Sequence, residues 1–193
     1  MKNLWIIFFI AGSIGACKNS SVKPDTEQAK SYLPVTDFIQ EDIKRIDSFG
    51  GGILLKTTGT LKNDSAFIQP QQFKLLVSEF FLPELDSAIF YNQFTETSLM
   101  DETTQMLNFI YTADSNKTAL RKVIVYVSPS LTTDKVHRIY MEKENRIGDT
   151  IVSQKLTWKM RQYLIIAEIK ETANGFNSTL IRKAIWDPQH YAD

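Results

Sequence analysis

Residues 163–186 have the sequence YLIIAEIKETANGFNSTLIRKAIW, which contains two strand-like runs around a turn. In the runs Tyr163 to Thr172 and Asn177 to Trp186, β-branched and other apolar residues recur with a period close to two. The dipeptide Asn174-Gly175 between the runs tolerates the positive φ angles that a type I′ turn requires. This stretch therefore predicts an antiparallel β-hairpin.

Similar runs precede this hairpin along most of the chain. The further predicted strands are Tyr91 to Leu99, Thr103 to Ala113, Leu120 to Ser128, Val136 to Lys143 and Thr150 to Trp158. The connections between them are too short for the crossovers that parallel strands need. An antiparallel meander is therefore expected.

Alternation along these strands predicts which side chains form the core. The predicted inward sets are Leu107, Phe109 and Tyr111; Val123, Val125 and Val127; Ile139 and Met141; and Tyr163, Ile165, Ala167 and Ile169. Apolar residues also occur on the opposite faces, at Ile110, Ile124, Tyr126, Tyr140, Leu164 and Ile166. This second set indicates that the outer face is partly covered or that the sheet curves strongly.

Two helices are expected before the meander. One runs from Asp37, as cap, to about Phe49, and the other starts at Pro70 and is stopped or kinked by Pro83. Short strands at Ile53 to Thr58 and Ala66 to Ile68 lie between the helices, with a turn at residues 63–65. The predicted fold is α+β: two N-terminal helices packed on a curved, mostly antiparallel meander of about seven to nine strands, half-barrel-like.

Composition excludes several classes of protein. The chain has 193 residues, with 22 basic side chains balanced by 22 acidic ones, and one Cys. A neutral chain has no bulk attraction for nucleic acid or for an anionic membrane. A single Cys rules out both an internal disulfide framework and a multi-cysteine zinc site.

The first residues have the pattern of a secretory signal. After Met1-Lys2-Asn3, an uncharged apolar run extends from Leu4 to Ala16 and is followed by Cys17. At ~1.5 Å per residue, this run spans roughly 20 Å as a helix, short of the ~30 Å hydrocarbon core of a bilayer. A cleaved signal peptide over residues 1–16 is therefore expected rather than a permanent span.

The motif Ile14-Gly15-Ala16-Cys17 resembles the lipobox of bacterial lipoprotein precursors. The resemblance implies that Cys17 receives a diacylglycerol thioether and, after cleavage, a further acyl chain such as palmitate on its new N-terminus. Two or three chains would hold the protein at a membrane essentially permanently. Because Lys18 stands where an Asp often retains such proteins in the inner membrane, the outer membrane is the expected location, on either its periplasmic or its surface side.

The segment after the lipobox is expected to be a tether. Residues 17–31 comprise the lipidated Cys and a polar stretch that cannot bury enough apolar surface to fold. Fully extended, residues 18–31 reach at most about 46–50 Å. A single α+β domain is predicted over residues 32–193.

Two weaker resemblances concern this domain. The layout from Phe73 to Trp186 is similar in architecture to the half-barrel proteins that carry and receive lipoproteins at the outer membrane. The stretch FTETSLMDETTQ at 94–105, followed by LNFIY at 107–111, resembles uncharacterised small lipoproteins of Bacteroidota-type bacteria. That likeness implies a location and a domain type but no activity.

The sequence contains no recognisable catalytic or metal motif, and no cofactor is expected. The only histidines are His137 and His190, and neither belongs to a known catalytic pattern. Basic residues are interleaved with acids in the C-terminal half, which argues against a nucleic-acid surface. They are Lys155, Lys159, Arg161, Lys170, Arg182 and Lys183, alternating with Glu168 and Glu171.

Two functions remain open. The first is a non-enzymatic binding or scaffolding module, lipid-anchored in the cell envelope, that engages an unidentified protein or lipid partner. The alternative is a carrier of an apolar ligand or lipid in a half-barrel cavity. The candidate cavity residues are Phe80, Phe94, Phe109, Tyr111, Tyr126, Tyr140 and Trp158, although such aromatics also commonly fill a core.

Overall fold

The computed structural model describes residues 32–60, 63–115, 118–129 and 135–192. Three α-helices are present in these ranges: α1 (Val35–Phe49), α2 (Pro70–Ser78) and α3 (Ser87–Gln93). The strands are β1 (Ile53–Gly59), β2 (Asn63–Ile68), β3 (Phe94–Asp101), β4 (Met106–Ala113), β5 (Leu120–Ser128), β6 (Lys135–Ile147), β7 (Thr150–Lys159), β8 (Tyr163–Thr172) and β9 (Asn177–Ile185). Single 3₁₀ turns occupy Pro83–Leu85 and Pro188–His190.

All nine strands form one antiparallel sheet in the order β2-β1-β9-β8-β7-β6-β5-β4-β3. From β3 to β9 each strand pairs with its successor, whereas the early hairpin of β1 and β2 joins the sheet beside β9. The sheet is open, with β2 at one edge and β3 at the other. The predicted α+β class and antiparallel meander are therefore confirmed, and the segment holding α2 and α3 connects the two edges.

The expectation of two helices, both N-terminal to the sheet, is wrong. Only α1 precedes the sheet, α2 follows β2, and α3 occupies residues where a strand was expected to begin at Tyr91. A carboxylate oxygen of Asp86 accepts a hydrogen bond of 3.0 Å from the backbone N–H of Ala88 and so caps α3. This short helix buries Phe90, and β3 starts only at Phe94.

Local hydrogen bonds explain the smaller differences at the ends of elements. Helix α1 begins at Val35, two residues before the expected cap, and ends at Gly50 with a left-handed φ of 60°. Residues 63–65 belong to β2 rather than to a turn. Strand β4 begins at Met106 because Asp101 accepts hydrogen bonds from Thr103 and Thr104 and folds the intervening residues into a turn.

The inward faces of β5 and β6 are as predicted, but that of β8 is reversed. Leu164 and Ile166 are fully buried, whereas the expected core set Tyr163, Ile165, Ala167 and Ile169 lies on the other face and is partly exposed. Both faces of β8 are apolar, so alternation alone cannot orient the strand. The register with β7 determines which face of β8 is buried, since it pairs Leu164 with Trp158 and Ile166 with Leu156.

The three helices pack on the face of the sheet that carries the Trp158 side chain. Phe80 meets Trp158 edge-on at 5.3 Å between ring centroids, and Phe73 meets Trp186 at 5.8 Å. From α1, Ile39 is fully buried in the same cluster. The core therefore lies between one sheet face and the helical layer. The opposite face carries no α-helix among the described residues, although His190 of the C-terminal 3₁₀ turn contacts Tyr163 there, at 6.2 Å between ring centroids.

The reversed face of β8 generates a stability prediction. Leu164→Ala is expected to lower the free energy of unfolding by about 2–5 kcal/mol, because the truncation removes buried side-chain carbons and leaves a cavity in the core. Its neighbour Ile165→Ala should cost clearly less, since that side chain is already partly exposed. Urea denaturation of both variants measures the difference, and an equal or larger cost at Ile165 would show that the register is wrong.

Candidate functional site

The residues predicted to line a cavity are divided between the two faces of the sheet. Phe80, Phe94, Tyr111 and Trp158 are at most 1% exposed and belong to the core. Phe109 shares their face and is partly buried, but Tyr126 and Tyr140 lie on the opposite face. The structure therefore does not bring the seven aromatics together, and Cys17 lies outside the described residues.

A buried carboxylate joins α1 to the turn between β7 and β8. Asp42 is 2% exposed, and its Oδ2 accepts hydrogen bonds of 2.9 Å from both the indole Nε1 of Trp158 and the backbone N–H of Arg161. Arg161 has a φ of 66°, a conformation that a non-glycine residue rarely adopts. The carboxylate thus holds this turn against the middle of α1.

Sequence reasoning missed Asp42 because it looked for catalytic and metal motifs, and a single acid within a helix belongs to none of them. A usable signal was present, since Asp42 follows Ile39 by three residues and lies on the apolar side of α1 with Ile43 and Ile46. A carboxylate on the apolar side of a helix is buried when the helix packs, and it then needs hydrogen-bond donors from the core. Its donors come from β7 and the following turn, more than a hundred residues along the chain, so no local spacing could reveal them.

A cavity of about 440 Å³ lies beside this carboxylate, at the C-terminal end of α1. Its lining residues include Asp42, Arg45, Ile46, Gly51, Arg161 and Trp186. The indole Nε1 of Trp186 is buried and has no hydrogen-bond partner among the described residues. In volume the cavity falls within the ~300–1,000 Å³ that is usual for small-molecule sites.

A smaller cavity of about 290 Å³ lies at the other end of α1, where the described chain begins. Tyr32 is 7% exposed, and its hydroxyl donates a hydrogen bond of 2.7 Å to the backbone oxygen of Phe94. The Tyr32 ring stacks on Tyr91 at 4.7 Å, and the backbone N–H of Leu33 donates to the hydroxyl of Tyr111. Burial raises the pKa of Tyr111, so that hydroxyl remains a neutral acceptor. These contacts fix the start of the domain firmly.

The sheet face opposite the helices differs from both cavities in being basic. Three adjacent rows across it can be followed through the strand register, and we call these rows the basic face. The first row is Asn108, Tyr126, Arg138, Lys159 and Tyr163; the second is Ile110, Ile124, Tyr140, Thr157, Ile165, Lys183 and Lys56; the third is Thr112, Lys122, Glu142, Lys155, Ala167, Ile181 and Thr58. Six of these side chains are cationic and one, Glu142, is acidic, although the whole chain is neutral. The next two rows of the same sheet face add Arg146, Glu144 and Glu171, so the positive charge is concentrated in the three rows of the basic face.

Several cations of the basic face lie on aromatic rings. The Arg138 guanidinium is 3.8 Å from the ring centroid of Tyr126, and the Lys183 ammonium is 4.6 Å from that of Tyr163. Such cation–π contacts are favourable and hold the charges against the sheet. Burial of the second row is partial, with Ile124, Tyr140 and Ile165 all intermediate in exposure.

Two cations of the basic face are directly opposed. Arg138 pairs with Lys159 in the register of β6 and β7, an arrangement of like charges that weakens a sheet. Burial, followed by the charge of Arg138, lowers the pKa of Lys159. The pKa of nearby His137 is also lowered, first by burial and then by Lys159, Lys135 and Arg161. This end of the sheet therefore has a concentrated positive potential.

The strand register explains why interleaved charges in the sequence separate in space. Glu168 pairs with Gln154 and Leu180 on the helix-covered face, and a carboxylate oxygen of Glu168 accepts a 3.0 Å hydrogen bond from Gln154. Lys155 and Lys183, which lie near Glu168 in the sequence pattern, belong to the other face. Part of the alternation that argued against a basic surface is thus the alternation of the two faces of a strand, although Glu171 lies on the same face as Lys155, and Lys170 and Arg182 lie on the helix-covered face with Glu168.

No group of three or more His, Cys, Asp or Glu side chains within 32–60, 63–115, 118–129 and 135–192 is placed to bind a metal ion. None of the helices in these ranges has the length and apolar character needed to cross a membrane.

The Asp42 contacts give a second stability prediction. Asp42→Ala is expected to lower the free energy of unfolding by about 1–3 kcal/mol, because the Trp158 indole would be left buried without an acceptor. Asp47→Ala, on the exposed side of the same helix, serves as the control and should change stability little. Thermal unfolding of the two variants makes the comparison, and matching melting temperatures would contradict a stabilising role for Asp42.

Comparison of the chain with models of protein families, with curated proteins and with solved structures found no match.

Proposed function

We propose that the chain is a lipid-anchored lipoprotein of the bacterial cell envelope, located at the outer membrane, whose domain is a non-enzymatic binding module. The observation that carries the binding role is the basic face, where six cations and one carboxylate share a surface that no α-helix covers among the described residues. A face of this composition suits an anionic partner. Location is supported by the motif Ile14-Gly15-Ala16-Cys17 alone.

The proposed anchor and the domain fit each other in one respect. The domain is fixed at Tyr32 by a hydroxyl hydrogen bond and ring stacking, so residues 18–31 would separate the acylated Cys17 from a rigid attachment point. Acyl chains on Cys17 would then be the contact with the membrane, and the tether would allow the domain to turn toward a partner.

A half-barrel curvature of the sheet belongs to the same proposal. It is supported by the size of the side chains on the helix-covered face, where Trp158, Tyr111 and Phe94 are fully buried beneath three helices. Register shifts in the pairing of β5 with β6, at Leu120/Lys122 and Tyr126/Val127, mark positions where such a sheet would bend.

A second candidate function, carriage of a small apolar or amphipathic ligand, is favoured by the 440 Å³ cavity at the end of α1. This site is distinct from the one expected from the aromatic residues. Its walls combine Ile46, Pro188 and Trp186 with the guanidinium groups of Arg45 and Arg161. The Arg45 guanidinium is paired with Glu41, which limits its availability for a ligand.

Lipid anchoring is tested by Cys17→Ala. We expect this variant to leave the membrane fraction and to lose incorporation of labelled palmitate, because no other Cys can form the thioether. Ser13→Ala in the same leader is the matched control and should remain membrane-bound and labelled. Palmitate incorporation and membrane association that survive in Cys17→Ala would refute the anchor.

The carrier alternative is tested by filling the cavity. A Cβ atom at Gly51 meets no atom within 4 Å, so Gly51→Leu should fold and occupy part of the space. If the domain is a carrier, organic extracts of the purified protein contain a stoichiometric ligand that Gly51→Leu loses and Gly51→Ala retains. Extracts of the wild-type protein without any such ligand would exclude the carrier function.

A further inference from the structure

We infer that the basic face docks on an anionic lipid surface, so that the domain lies against a membrane through its sheet as well as through its anchor. This inference rests on the proposed function, since it names the partner of the proposed binding module.

Charge is separated between the two layers of the domain. The helical segments 35–49 and 70–93 carry seven acidic and three basic side chains, whereas the basic face carries six cations and one acid. With the next two rows of the same sheet face, which add Arg146, Glu144 and Glu171, the balance is seven cations to three acids. A domain with this distribution turns its sheet, rather than its helices, toward a negative surface. The orientation follows although the chain as a whole has no net charge.

The side chains of the basic face are of the kinds found where proteins meet lipid head groups. Long cationic side chains place a charge among phosphates while their methylene stems remain on apolar groups. Tyrosines Tyr126, Tyr140 and Tyr163 combine an apolar ring with a polar tip, which suits the same depth. Ile124 and Ile165, partly exposed between them, supply apolar area.

The opposed pair Arg138 and Lys159 indicates an anion specifically. Like charges directly opposite on neighbouring strands repel, and that repulsion contributes to lowering the pKa of Lys159. A phosphate oxygen between the two groups would replace the repulsion with two attractions. No carboxylate of the three rows pairs with either residue, since Glu142 is opposite Lys122 and Lys155.

The dimensions of the basic face favour an extended surface over a single small anion. Its cations lie on β5, β6, β7, β9 and β1, five strand intervals from end to end. At ~4.8 Å per interval, the cations extend over roughly 24 Å across the strands, and over about 14 Å along them in three rows. One phosphate or one nucleotide cannot contact groups this far apart, whereas a layer of lipid head groups can.

Vesicle binding by an unlipidated chain tests the inference. The protein is residues 18–193, which retains the compact unit Ser31–Asp193 and lacks the apolar leader and Cys17. We expect it to sediment with phosphatidylcholine vesicles that contain phosphatidylglycerol, to remain in solution with pure phosphatidylcholine, and to be released by salt. Because each cation near an anionic surface contributes about 5.4-fold to the affinity, Arg138→Gln with Lys159→Gln should weaken the binding roughly 30-fold.

Matched variants separate this interaction from a general effect of charge. Lys44→Gln with Lys74→Gln removes two exposed cations from the helical layer and should bind as the wild type does. The exchange Arg138→Lys with Lys159→Arg preserves both charges and should also bind. Circular dichroism on each variant verifies that the fold is retained.

Three results would overturn the inference. They are equal binding to neutral and anionic vesicles, equal losses in the sheet and helix variants, and tight binding to heparin or single-stranded DNA without binding to anionic vesicles. The last would assign the basic face to a soluble polyanion. Because the chain tested carries no Cys17, none of these results bears on lipid anchoring, which palmitate labelling tests separately.

Discussion

The environment of Trp158 is the point on which the rest of the structure depends. Its indole is fully buried, lies edge-on to Phe80 of the helical layer and is 5.3 Å from the ring of Trp186. Its Nε1 donates to Asp42 of α1. One side chain of β7 thus contacts α1, the end of α2 and the residue after β9, and it determines which face of the sheet the helices cover.

That choice of face also determines the proposed binding surface. With Trp158, Leu164 and Ala184 turned toward the helices, the residues next to them along the strands point the other way. These neighbours include Lys159, Ile165 and Lys183. Core packing and surface charge are therefore coupled through the period of two, since a one-residue slip of any of these strands would exchange its buried and outward side chains.

Local patterns in the sequence predicted most strands but not their full arrangement. Strands β5 and β8 have the predicted ends, residue for residue, because turn residues bound them. Helix α3 was missed because seven residues around Phe90 are too few for a periodic signal, and its cap at Asp86 is visible only in the structure. The face of β8 required the pairing with β7, which no property of β8 alone encodes.

The candidate site was less predictable than the fold, for the same physical reason. The cations of the basic face are scattered from Lys56 to Lys183, and their neighbours in the sequence include Glu168, which lies on the other face. Only a register propagated across neighbouring strands brings them together. Asp42 likewise needs a donor from Trp158, 116 residues away.

Footprinting of lysines on the lipidated protein in its own membrane tests the central claim most directly. Acetylation by an amine-reactive reagent would be compared between the lipidated protein in intact membranes and residues 18–193 in solution without detergent. Mass spectrometry would measure the extent of reaction at each lysine. The account predicts that Lys122, Lys155, Lys159 and Lys183 react more slowly on the membrane, while Lys44 and Lys74 react equally in both. Protection of the helical lysines instead, or equal reaction of all six, would contradict docking through the basic face.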